Sequence, residues 1–216
     1  MERTTSIEEA NEIMGNNFIG PADLLNNDKI SNLFFINTNE IPTIPYTINE
    51  LNSVKNSHIL LLVLNECTDK NKISFQILRK YFGFNSEEKE PCFYNQDWYL
   101  NEPFYNESEL KLSWVLFSVE ILESTRSIDP NLIFKNIEIN SLPSALLATY
   151  CFFILYLIKN KIFLKFDYLW CNDFDSNGDR IYVGRYIDPN KKNKNGFSIH
   201  RNLSIKNNYG AINFFN

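Results

Sequence analysis

The chain has 216 residues, a hydrophobic fraction of 44%, a charged fraction of 22% and a net charge of −5, enough apolar material for one substantial core or two small ones. Aromatics reach 15%, with 18 phenylalanines, and glycines number only 7, which excludes a disordered chain or one strung on flexible linkers. Cys67, Cys92, Cys151 and Cys171 form no CxxC pair and stand at no ligand spacing to either histidine, so they read as buried, reduced thiols and not as a zinc site.

The N-terminus shows no basic segment followed by an apolar stretch, so the expected location is cytoplasmic. Ser6 followed by Glu9 has the spacing of a capping box and predicts a helix to Met14, stopped by Gly15. Pro21 suits the first turn of a short helix through Leu25. Leu33 to Ile36 reads as a short strand, and Pro42 and Pro45 impose an extended surface segment after it. Thr47 caps a helix from Ile48 to Val54. His58 to Leu64 is a continuous apolar run of the length of a central strand covered on both faces. Ser74 begins a helix over Phe75 to Tyr81, ended by Gly83, and a polar, aromatic stretch runs from Asn85 to Pro103. Trp114 to Leu122 reads as a long strand, with a helix as the alternative.

Ser144 to Ile158 is almost wholly apolar but falls short of the ~20 residues a membrane-spanning helix needs, so it is expected to be a helix buried in the core, with no membrane partner. Two alternating segments, Leu164 to Cys171 and Arg180 to Tyr186, flank a turn and predict a C-terminal β-hairpin. No repeat or linker divides the chain. The fold class expected is α+β: a single compact domain over residues 1–216, with a mixed sheet and a soft boundary near residue 140.

The turn Asp173-Phe174-Asp175-Ser176-Asn177-Gly178-Asp179 imitates a calcium loop, with oxygen-bearing side chains at positions 1, 3 and 5 and glycine at 6. The bidentate glutamate at position 12 is replaced by Gly184, and the flanks read as strands. Asn177-Gly178 is a strong hairpin-turn signal in its own right. Asp173, Asp175, Asn177 and Asp179 are therefore a structural turn first and a weak cation site second. No nucleophile–histidine–carboxylate set, phosphate-cradling glycine loop or dinucleotide fingerprint occurs, and no cofactor is expected.

Charge is uneven. From Arg180 onward seven cations face one acid, Asp188, for +6, so the first 179 residues carry −11 of the total −5. Arg180, Arg185, Lys191, Lys192, Lys194 and Arg201 alternate with Tyr182 and Tyr186, the composition of a surface that holds phosphates on cations and bases on rings. The alternatives are a hairpin whose cations pair with the chain's own acidic half, and docking on an acidic protein. The acidic body in turn suits a basic partner protein.

Ile13-Met14-Gly15-Asn16-Asn17-Phe18-Ile19-Gly20-Pro21, together with Leu142-Pro143-Ser144-Ala145, Tyr168-Leu169-Trp170 and Asp173 through Gly184, resembles an uncharacterised family of small bacterial and mobile-element proteins. That resemblance brings no activity and no catalytic residue. In profile the chain is also similar to anti-CRISPR inhibitors: small, acidic, and rich in the asparagine, isoleucine and lysine of AT-rich genomes. The function expected is a non-enzymatic binding protein, specifically an inhibitor of a type VI-B RNA-guided ribonuclease or its guide RNA. The alternatives are an RNA-binding module on the basic hairpin and a metal-dependent hydrolase at Asp173 and Asp175.

Overall fold

The structure, a computed structural model, describes residues 4–136, 142–190, 194–201 and 205–215. It opens with α1 (Ile7–Met14), where the Ser6 hydroxyl accepts from the Glu9 N–H at 3.1 Å and the Glu9 carboxylate accepts from the Ser6 N–H at 2.9 Å. This reciprocal cap satisfies two N–H groups that the first helical turn leaves unpaired. Then follow β1 (Phe18–Ile19), α2 (Pro21–Leu25) and α3 (Asp28–Ser31). Leu33 to Ile36, expected as a strand, makes only a single bridge between Phe34 and Cys67, and Phe35 stays half exposed. Thr47 and Glu50 repeat the reciprocal cap at the start of α4 (Ile48–Val54).

The apolar run after it forms β2 (His58–Val63), buried along its whole length. α5 (Phe75–Phe82), α6 (Pro103–Asn106) and β3 (Ser113–Ser118) come next. β3 stops four residues before the predicted end, where the Ser118 hydroxyl donates to the Glu120 carbonyl at 3.1 Å and the chain turns away. α7 (Pro130–Asn136) leads toward the place of the soft domain boundary, which lies outside the described residues. The remaining elements are α8 (Ala145–Lys159), β4 (Tyr168–Phe174), β5 (Arg180–Gly184), β6 (Ser198–Arg201), β7 (Tyr209–Gly210) and β8 (Phe214–Phe215).

The α+β class holds, with two four-stranded sheets in place of the one expected. One runs β1-β2-β3-β8 and the other β6-β5-β4-β7, and each combines one parallel pair with antiparallel neighbours. The hairpin β4–β5 pairs Leu169 with Val183 and Trp170 with Tyr182, and it bulges between Trp170 and Phe174. The polar C-terminal tail supplies β6, β7 and β8, crossing from the second sheet to the edge of the first.

α8 joins the two sheets. It packs against β2 of one and against β4 and β5 of the other, and every residue from Ala145 to Leu155 is buried. Phe153 stacks on Phe82 at 4.1 Å between ring centroids, and Phe152 meets Phe197 at 4.5 Å. Burying each such ring stabilises the fold by roughly 2–3 kcal/mol. Among the described residues no helix is long and apolar enough to cross a membrane.

Candidate functional site

The Asp173–Asp179 turn is held by its own peptide groups. Asp175 Oδ1 accepts from the N–H groups of Asn177 at 2.9 Å and Asp179 at 2.8 Å, and Oδ2 accepts from the Arg201 guanidinium at 3.2 Å. Gly178 takes φ 84, the left-handed conformation that the Asn-Gly pair foretells. Although burial alone would raise its pKa, the donors from Asp179, Arg201 and Asn177 hold the Asp175 carboxyl below its usual value. Asp173 does separate work: its Oδ2 accepts from the Ala145 N–H at 2.6 Å, at the N-terminus of α8, where negative charge is favoured. Burial nevertheless pushes its carboxyl up, against the opposing Ala145 N–H and Arg180 charge. The two aspartates are thus committed to a turn and to a helix end. Among the described residues no group of three or more histidines, cysteines or acids gathers where it could hold a metal ion.

The predicted basic surface is rearranged in a similar way. Tyr182 and Tyr186 are 5% and 1% exposed, so neither presents a ring face to a nucleobase. On β5, Tyr182 joins Tyr168, Trp170 and Tyr209 in a second cluster; beyond its end Tyr186 enters the main core, where its hydroxyl accepts from the Cys92 N–H at 3.3 Å. Arg180 donates to the Cys171 carbonyl at 3.0 Å and lies over the Phe174 ring at 4.3 Å. Arg201 pairs with Asp175 and sits 5.4 Å from the Trp98 ring. Lys194 reaches Glu87 at 2.9 Å, and Arg185 lies 3.8 Å from Asp188. Lys191 and Lys192 lie outside the described residues.

What these elements do bring together is a cleft of about 230 Å³, bordered by Tyr94, Tyr168, Arg185, Lys194, Ser198 and His200. Two of its walls were not foreseen. Tyr94 comes from the polar, aromatic stretch 85–103, which a bridge between Phe93 and Phe197 ties to the second sheet. His200, from the polar C-terminal tail, stands on β6 opposite Tyr182 of β5. The density of rings in stretch 85–103 was the available signal, since so many aromatics in a loop imply packing against something.

Arg185 is placed by a kink at the end of β5. Gly184 takes φ 131, and a Cβ there would stand 2.5 Å from the Asp167 carbonyl oxygen. Arg185 itself takes φ 47, with its N–H donating to the same carbonyl at 2.8 Å. The Tyr168 hydroxyl is within hydrogen-bonding reach of Arg185 and Ser198; burial raises its pKa and both neighbours oppose the rise. Burial, assisted by the Arg185 charge, pushes the His200 imidazole down to about 4, so the ring is neutral at pH 7. The Gln96 amide nitrogen lies 3.1 Å from His200 Nε2, while the Gln96 oxygen accepts from the Ile199 N–H at 3.2 Å. That arrangement suits a neutral ring accepting on one nitrogen and donating from the other.

All four cysteines are free and buried, and burial holds the thiols of Cys67 and Cys92 up at about 11, far from nucleophilic thiolates. No protein-family model, no curated protein and no solved structure matches the chain.

Proposed function

We propose that this chain is a non-enzymatic binding protein that docks its acidic surface on a basic partner, specifically as an inhibitor of a type VI-B RNA-guided ribonuclease in the cytoplasm. The observation that carries the reading is the fate of the C-terminal cations. Arg201 and Lys194 face the chain's own Asp175 and Glu87, and the tyrosines that alternated with the cations are core residues. The basic pole is thereby largely answered from within, and the net charge of −5 is left to the outer surface. A nuclease that grips RNA is basic, and charge complementarity of this kind speeds encounter and suppresses wrong partners. Both aspartates of the metal-like turn have internal partners, which favours binding over metal-dependent hydrolysis.

The test is co-elution with a purified type VI-B effector on size-exclusion chromatography, followed by a guide-dependent RNA-cleavage assay. A complex that weakens with added salt and slows cleavage is expected. Separate elution with unchanged cleavage would remove the inhibitor reading.

A further inference from the structure

The 230 Å³ cleft at the kink after β5 gathers cations and hydroxyl-bearing side chains around one space. Arg185, Lys194, Tyr168, Ser198 and a neutral His200 border it. One carboxylate, Asp188, shares it. Both cations are held loosely. Arg185 stands 3.8 Å from Asp188, the longest ion pair among the described residues, and Lys194 is paired with a Glu87 side chain that is 71% exposed. The Lys194–Glu87 pair, exposed on both sides, contributes little and exchanges readily for a better acceptor. Arg185 is also a non-glycine residue in the left-handed region, a conformation that proteins retain mainly where it aims a side chain at a task.

We propose that this cleft is a phosphate-binding site, taking inorganic phosphate or the phosphate of a nucleotide. A tetrahedral oxyanion accepts from several directions at once, which matches two hydroxyl-bearing side chains, a guanidinium and an ammonium around a small space. Asp188 sets the selectivity. A carboxylate beside the anion needs a donor, which the P–OH of a phosphate monoanion or a sugar hydroxyl provides and sulfate does not. A second cleft, sharing Arg185 and Tyr168 and continuing to Lys206 and Phe166, gives a sugar and base somewhere to extend. The proposal stands independently of the partner-protein reading, because it uses the cleft and not the acidic surface.

Isothermal titration of the full chain with inorganic phosphate, adenosine monophosphate and sulfate tests it, with Arg185→Gln, Lys194→Gln and a cation outside the cleft, Lys72→Gln, in parallel. Losing a charge-assisted donor should weaken binding by roughly 10- to 100-fold in Arg185→Gln, less in exposed Lys194→Gln, and not at all in Lys72→Gln. Urea midpoints of each variant confirm folding, and if Arg185→Gln is unfolded, Ser198→Ala takes its place. Equal affinity for phosphate and the nucleotide identifies free phosphate as the ligand, and tighter nucleotide binding identifies the nucleotide. No heat from either at millimolar concentration, binding untouched by the cleft variants, or sulfate bound as tightly as phosphate would each overturn the proposal.

Discussion

Replacing Asp175 with alanine removes an acceptor whose side chain is fully buried and which answers two peptide N–H groups and one guanidinium. Each orphaned buried N–H costs about 1–3 kcal/mol. The Arg201 contribution is smaller, below ~1 kcal/mol, because that side chain is 38% exposed and its charge returns to water when released. Because Asn177 is exposed and Asp179 only half-buried, the low end of that range applies and the sum is about 3 kcal/mol, a large effect for one side chain at a turn. With a urea slope of roughly 2–3 kcal/mol/M for a chain of this size, the midpoint should fall by about 1 M. Tryptophan fluorescence reads the transition directly, since Trp98 neighbours Arg201. Asp175→Asn should cost less, because the amide oxygen still accepts from the turn. The folded carboxyl titrates below its ordinary value, so its contribution is present at neutral pH and is lost as pH falls below about 4. The wild-type minus Asp175→Asn difference should therefore shrink in acid. A midpoint shift under 0.2 M for Asp175→Ala, or a calcium-dependent rise in the wild-type midpoint, would refute the turn as a self-sufficient structure.

Phe153→Ala leaves a hole between Phe82, Phe93 and Phe197 and should cost about 3–5 kcal/mol by urea or thermal unfolding. Gly184→Ala places a Cβ against the Asp167 carbonyl at φ 131 and should cost more than about 1 kcal/mol, whereas Gly178→Ala, with open space around it, should show only the strain of its φ of 84. A thiol reagent should label none of the four cysteines quickly in the native state and all four in denaturant, since each is buried and its thiol raised. His200 binds its proton less readily folded than unfolded. Stability should therefore fall as pH drops from about 6.5 toward 4, and less so in His200→Gln, with the ring titration followed by NMR.

Local signals carried the helices well. Ser6 with Glu9 and Thr47 cap their helices as the sequence foretells, and the apolar run after Ser144 forms the buried helix expected of it. What depends on distant pairing was hidden. Leu33 to Ile36 has strand composition, yet it forms only an isolated bridge to the segment around Cys67, and no periodicity shows how far a run will pair. The tail strands escaped for the same reason: β6 and β7 of the second sheet and β8 of the first are two to four residues long and are strands only because neighbours far along the chain receive them. At the candidate site, the kinds of residue were legible and their direction was not. Alternation in Arg180 to Tyr186 told that two faces exist, but charge placed the tyrosines outward, while a second apolar cluster drew Tyr182 inward and the kink at Gly184 turned Arg185 toward the cleft.

The position of α8 has a consequence for how the molecule opens. A helix that fills the hydrophobic side of both sheets cannot leave one without uncovering the other, so neither sheet retains a closed core alone. Amide hydrogens of β2, in the first sheet, and of β5, in the second, should then exchange with deuterium through a shared opening event and display matching protection. The stretch around Phe35, tied in only by an isolated bridge, should exchange sooner, fraying without disturbing that cooperative unit.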